Sequence, residues 1–215
     1  MENIISFLRE LKENNNREWF EQNKPRYKEL QEQYNQFVQK LIDGIMLFDK
    51  SIQNITVKDC TYRIYRDVRF SHNKEPYKTH IGAYISPYGK KSGYAGYYFH
   101  LEPDNSILAV GLYMPEPKVL ASVRDEIMDS GDQILKSIEM TTGFTLDQTN
   151  KLQRAPKGYP QDSKYIEYLK LKDFTLCKSI TSYDNLLENV LADFKSAYAF
   201  NAILNKAVRY AKDEM

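Results

Sequence analysis

Ile4, Ile5, Leu8 and Leu11 recur at helical spacing, with charged and polar residues between them, which predicts an amphipathic first helix. The run Asn14-Asn15-Asn16 supplies stop and cap chemistry, and Arg17-Glu18-Trp19-Phe20 reads as the start of a short second helix. Pro25 suits the first turn of another helix, where a missing N–H removes no hydrogen bond. After it, Tyr27, Leu30, Tyr34, Phe37, Val38, Leu41, Ile42 and Ile45 draw one apolar stripe to about residue 48.

The pattern changes near Thr56. From there to Met114 the apolar positions are aromatic or β-branched and are broken by the turn signals SHNKEP, SPYGKKSG and EPDNS. Strands are predicted near 57–69, 79–87, 95–102 and 106–114, with connections short enough for an antiparallel meander. Helical spacing returns after Pro117: Val119, Leu120, Val123 and Ile127 predict one helix, Ile134, Leu135 and Ile138 a second, and Tyr165, Ile166 and Leu169 a short third after the loop QRAPKGYPQDS. Leu186, Leu187, Val190, Leu191, Phe194, Tyr198 and Leu204 predict a long helix over about 183–212. The fold class expected is α+β, a central antiparallel β-meander of about four strands with N-terminal and C-terminal helices packed on it. Residues 1–215 are expected to form a single domain, helical over 1–50, sheet over 56–114 and helical over 117–213.

Composition adds limits. A chain with 42% hydrophobic and 27% charged residues folds rather than staying disordered, and 17 tyrosines give it much apolar area with polar tips. The net charge of +1 offers no whole-molecule attraction for nucleic acid or an anionic membrane, so any basic site is local. Cys60 and Cys177 lack metal-ligand spacing, which favours a reduced, structural role. The N-terminal MENIISFLRELKEN is not a signal peptide, no run of apolar residues is long enough to span a membrane, and a cytoplasmic location is expected.

Charge is concentrated in CTYRIYRDVRFSHNKEPYKTH, Cys60 to His80. Between residues 63 and 91, Arg63, Arg66, Arg69, Lys74, Lys78, Lys90 and Lys91 face only Asp67 and Glu75, a local excess of five. On a strand, Arg63, Tyr65, Asp67 and Arg69 would point one way and Cys60, Tyr62, Ile64, Arg66 and Val68 toward the core. One outcome is a lattice of ion pairs completed by carboxylates from the helices. The other is a clamp for phosphate or carboxylate, built on the bidentate geometry of arginine. Arg66, on the apolar side, must find a partner; in the clamp of which it is a member Arg63 and Arg69 would grip the anion, Lys74 would add charge, Asp67 would orient an arginine, Asn73 would donate a hydrogen bond and Tyr77 would fix the turn.

These residues resemble a known family. Arg63, Arg66, Asp67, Arg69, Phe70, Asn73, Lys74 and Tyr77 are similar, position for position, to the signature R-x-x-R-D-x-R-F-x-x-x-[DN]-K-x-x-Y of a bacterial domain-of-unknown-function family, number 2461. NNNREWFEQNKPRY, YYFHLEPDNSILAVGLYMPEP, RAPKGYP and LKLKDF resemble its other blocks, so the likeness covers nearly the whole chain. It implies that the polar strand and turn form a shared site, and brings with it no reaction, cofactor or partner.

Other constellations are weaker. If Pro87 faces Ala95 across a hairpin, His80 lies opposite Glu102 with His100 diagonal on the same face, a set that could meet at a metal, though no HExxH-like spacing supports one. No metal or cofactor is therefore called for. A nucleophile would have to be Ser71 or a cysteine beside a base, and no nucleophile elbow, Walker loop or dinucleotide fingerprint occurs. Arg63, Tyr65, Tyr84, Tyr97 and Tyr98 mix cations with stacking rings, as single-strand binders do. The reading reached is an anion-binding domain for a small phosphate- or carboxylate-bearing molecule. A non-catalytic nucleic-acid or protein-binding module and a ligand-free ion-pair lattice are the alternatives.

Overall fold

The computed structural model describes residues 1–70 and 72–213, so the Ser71 considered above as a nucleophile lies outside the described residues. In chain order the elements are α1 (Glu2–Glu13), α2 (Arg17–Phe48), α3 (Val57–Cys60), β1 (Ile81–Ile85), β2 (Gly96–Leu101), β3 (Ile107–Leu112), α4 (Pro117–Met140), β4 (Thr145–Leu146), α5 (Ile166–Leu169), β5 (Phe174–Ser179), α6 (Leu186–Ser196) and α7 (Tyr198–Asp213). All pairings are antiparallel and the sheet order is β1-β2-β3-β5-β4, an α+β fold with five strands rather than four, flanked by N- and C-terminal helices.

The strand expected over 57–69 does not form. Thr56 and Asp59 close a capping box, with the Thr56 N–H and Oγ1 donating to Asp59 Oδ2 at 2.8 and 2.7 Å, and this turns 57–60 into one helical turn. Residues 61–80 then make an irregular arm along the β1 edge. Its legs touch the sheet and each other only at isolated bridges, Thr61 with Ala83 and Tyr65 with Tyr77. The other three strands form as expected. The register pairs Ile81 with Leu101 and Gly82 with His100, the alignment that a Pro87–Ala95 facing pair implies.

Strand β2 divides the sheet into two faces. Tyr97, Phe99 and Leu101 are buried and share their face with Ala83, Ile85, Leu108 and Val110 through the register. Helix α2 lays Tyr34 and Phe37 on Phe99, with ring centroids 6.4 and 5.0 Å away, and α6 brings Phe194 to 5.3 Å from Tyr97. Tyr98 and His100 point to the opposite face, where they remain only half-buried. At the start of β2, Asn205 of α7 pairs with both main-chain groups of Ala95, accepting from its N–H at 2.7 Å and donating to its carbonyl at 3.1 Å. That contact fixes α7 to the sheet without a further strand.

Several helix boundaries differ from the periodicity. Residues 17–48 are one helix that runs through Pro25, capped by the Asn16 side chain, which accepts from Trp19 N–H at 2.9 Å. The two helices expected after Pro117 merge into α4 across a non-helical Ser130, while the long C-terminal helix breaks at buried Ala197. Strand β5 lies in a stretch given no element by its pattern; it buries Phe174 and Leu176 and joins β3 to β4. Among the described residues no helix is long and apolar enough to cross a membrane.

The hydroxyl of Tyr34 is buried with no hydrogen-bond partner among the described residues. Removing an unpaired buried donor relieves its desolvation cost. Tyr34→Phe is therefore expected to raise the unfolding free energy by about 1 kcal/mol in urea denaturation, whereas a comparable loss would show that this hydroxyl is satisfied.

Candidate functional site

The arm is held by an asparagine. Asn14 ends α1, its own side chain donating to Glu10 O at 2.9 Å, and Asn16 caps α2; between them Asn15 donates to the Tyr77 carbonyl at 3.0 Å and accepts from Tyr77 N–H at 3.1 Å. Asn15 thus does for Tyr77 what a neighbouring strand would do. The Tyr77 ring is buried and stacks on Phe20 of α2 at 4.0 Å, with Tyr65 5.5 Å away on the other leg. Lys78 N–H donates to Ile64 O at 2.8 Å and Arg66 N–H to Pro76 O at 2.9 Å, so the two legs run together as far as the tip.

Half of the basic cluster is neutralised inside the arm itself. Arg69 makes a bidentate pair with Asp67, Nε to Oδ1 at 2.9 Å and Nη2 to Oδ2 at 2.6 Å. That hydrogen-bonded guanidinium holds the Asp67 carboxyl below its ordinary range, with Arg63 adding a weaker pull. Arg66 reaches Glu75 at 3.4 Å, Asn73 donates to the same carboxylate at 2.9 Å, and Lys74 donates to the Val68 carbonyl at 3.1 Å. Among the described residues, no helix carboxylate forms an ion pair with these cations.

Arg63 and Lys78 are different. Among the described residues neither forms an ion pair, and both line a cavity of about 200 Å³ with Tyr62, His80, Ile81, Gly82 and Tyr98. Lys78 sits 5.6 Å from the Tyr62 ring centroid. Burial, then the positive charges of Arg63 and Arg66, depress its ammonium below the usual lysine range. The floor is the half-buried face of β1 and β2. Tyr98 lies across Gly82, where any Cβ would come within 2.6 Å of the phenol oxygen, so only glycine lets the ring lie flat there.

Along the same face, Tyr98 Oη is 2.8 Å from His100 Nδ1, and His100 Nε2 is 3.4 Å from Glu102 Oε2. The His80 ring centroid is 4.7 Å from that of His100. His80 is held down to about 4 by burial and by the neighbouring imidazole, against the pull of Glu102; burial also lowers His100. His80, His100 and Glu102 therefore lie close together, yet no group of three or more His, Cys, Asp or Glu side chains among the described residues is arranged to hold a metal ion. Burial pushes the Cys60 thiol up to about 12, which leaves it a poor nucleophile.

Of the predicted site residues, Arg63 alone lines the cavity. Arg66, Asp67, Arg69, Asn73 and Lys74 form a separate paired network toward the tip, and Tyr77 is the buried anchor. Lys78, Tyr62, His80, Gly82 and Tyr98 complete the cavity without having been proposed as its lining. His80 and Tyr98 had drawn attention for other chemistry; Lys78 was legible only as charge. Tyr97, listed with Tyr98 among possible stacking rings, is in the core and donates to Asp49 Oδ2 at 2.9 Å.

A family model described as a conserved hypothetical protein (DUF2461) matches residues 3–205. No curated protein and no solved structure gives a significant match.

The environment of His80 fixes the sign of a pH effect. The unfolded chain protonates this imidazole near 6.5 and the folded one only near 4, so between those values the unfolded state binds more protons and stability falls as pH drops. Lys78 and Arg66, and His100 once protonated, face it with like charge and Glu102 with opposite charge. The Glu102 carboxyl is held below its ordinary range, with burial opposing the hydrogen bonds from Asn105 and His100 that lower it. His80→Asn is expected to lose less stability than wild type between pH 7.5 and 5 in urea unfolding; equal losses would contradict a buried neutral imidazole.

Proposed function

We propose, from the premise that this chain belongs to the DUF2461 family of conserved hypothetical proteins, that the cavity beside β1 binds the phosphate or carboxylate of a small anionic molecule. One observation carries the reading: Arg63 and Lys78 line a single cavity and have no carboxylate partner among the described residues, whereas Arg66 and Arg69 each have one. Lys78 is half-buried with the exposed Arg63 beside it, and burial first, then the like charge of Arg63 and Arg66, depresses its ammonium. An anion placed between Arg63 and Lys78 offsets that like charge. Binding then raises the lysine back toward its ordinary range and strengthens its own charge-assisted hydrogen bonds.

Size supports a small ligand. About 200 Å³ falls below the roughly 300–1,000 Å³ of pockets that enclose drug-sized molecules. The Tyr62 ring, with Lys78 and Lys90 at 5.6 and 5.9 Å, forms one wall, and the His80 imidazole gives a further polar edge. Arg69, Asn73 and Lys74, expected to share the anion, take no part in this reading; they lie outside the cavity lining, and each donates to a partner within the arm.

Millimolar phosphate, and small phosphate monoesters or carboxylates, are expected to raise the thermal midpoint of the wild type by mass action. Arg63→Ala and Lys78→Met should abolish that rise, while Arg69→Ala retains it. No shift with any anion, or a shift unchanged in Arg63→Ala, would overturn the assignment.

A further inference from the structure

The chain of hydrogen bonds that runs along the cavity floor sets the polarity of its last member. Glu102 carries an ionised carboxylate, held below its ordinary range by hydrogen bonds from Asn105 and His100 against the cost of burial, and an ionised carboxylate can only accept. The His100 Nε2 beside it at 3.4 Å must therefore be the nitrogen that bears hydrogen. A neutral imidazole has one such nitrogen, which leaves Nδ1 as an acceptor. The phenol 2.8 Å away then spends its single O–H on Nδ1. Tyr98 Oη, which lies over the bare Gly82 in the cavity lining, is left with lone pairs alone for a further partner.

The cavity is thus divided. Arg63 and Lys78 present only donors, while Tyr98 presents only an acceptor. A ligand that satisfied the cations and left the phenol oxygen against its own carbon would bury an acceptor without a partner. We propose that the ligand of this site is a small hydroxylated anion, whose phosphate or carboxylate lies on Arg63 and Lys78 and whose hydroxyl donates to Tyr98 Oη. The inference rests on the anion site argued above. A hydroxyl is favoured over an ammonium donor because Arg63 and Lys78 repel a second positive charge in the same cavity.

The Tyr98–His100–Glu102 chain acts in this scheme as a polarity setter. No bond is made or broken. Gly82 belongs to it, since any larger residue displaces the phenol from its place over β1.

The test is isothermal titration of the full chain at pH 7.5 with two matched pairs: glycerol 3-phosphate against propyl phosphate, and lactate against propionate. In at least one pair the hydroxylated member is expected to bind about three- to tenfold more tightly, the worth of one hydrogen bond. Tyr98→Phe, which keeps the ring and loses the acceptor, should bring that pair to within about twofold while still binding the anion. Equal affinities within both pairs, or a preference that survives in Tyr98→Phe, would overturn the hydroxyl assignment and leave the anion site standing. Absence of binding by all four, or affinities unaltered in Arg63→Ala, would remove the anion site and this inference with it.

Discussion

The side chain of Asn15 takes both main-chain hydrogen bonds of Tyr77, and the arrangement of the basic arm follows from that grip. Residues 61–70 and 72–80 are not held as strands, since the Thr61–Ala83 bridge to β1 and the Tyr65–Tyr77 bridge between the legs are isolated. Stacking of Tyr77 on Phe20 at 4.0 Å adds the apolar half of the anchor. With Tyr77 fixed to the α1–α2 junction, Lys78 must follow directly above β1, and the pairing of Lys78 N–H with Ile64 O sets Arg63 beside it. Arg63 and Lys78 are neighbours because an asparagine in a helix connection holds the return leg of the arm.

Charge distribution within the arm then separates two roles that looked like one. Asp67 and Glu75 lie within two and nine residues of the arginines they serve, and both pairings are local to the arm. Solvent-accessible pairs of this kind contribute little to stability, but they give Arg66 and Arg69 each a carboxylate partner. Arg63 and Lys78 sit nearer the sheet, where no acidic side chain among the described residues completes them. The lattice posed for the whole cluster thus describes the pairs at the tip, and the clamp is proposed for Arg63 and Lys78 alone.

Much of the fold was legible because period and punctuation agreed. The β1–β2 register followed from placing a turn between Pro87 and Ala95, and with it came the closeness of His80 and His100. The first predicted strand failed for a local reason: Thr56-x-x-Asp59 is a capping box, and it competes successfully with the β-branched texture around it. Strand β5 was missed since six residues with charged neighbours have no distinctive pattern until β3 and β4 flank them. At the site, Arg63 was legible as charge without compensation. Lys78 and Tyr98 were not legible as its companions, because their placement depends on an irregular arm and on a bare Gly82, neither of which leaves a periodic trace.

The most direct measurement is a crystal of the full chain soaked in selenate or tungstate, with the anion located by its anomalous scattering. A peak within hydrogen-bond reach of both the Arg63 guanidinium and the Lys78 ammonium, on the β1 edge above Gly82, is expected. An ordered anion on Arg69 and Lys74 at the arm tip with none between Arg63 and Lys78 would contradict the assignment, as would crystals that bind no anion at all.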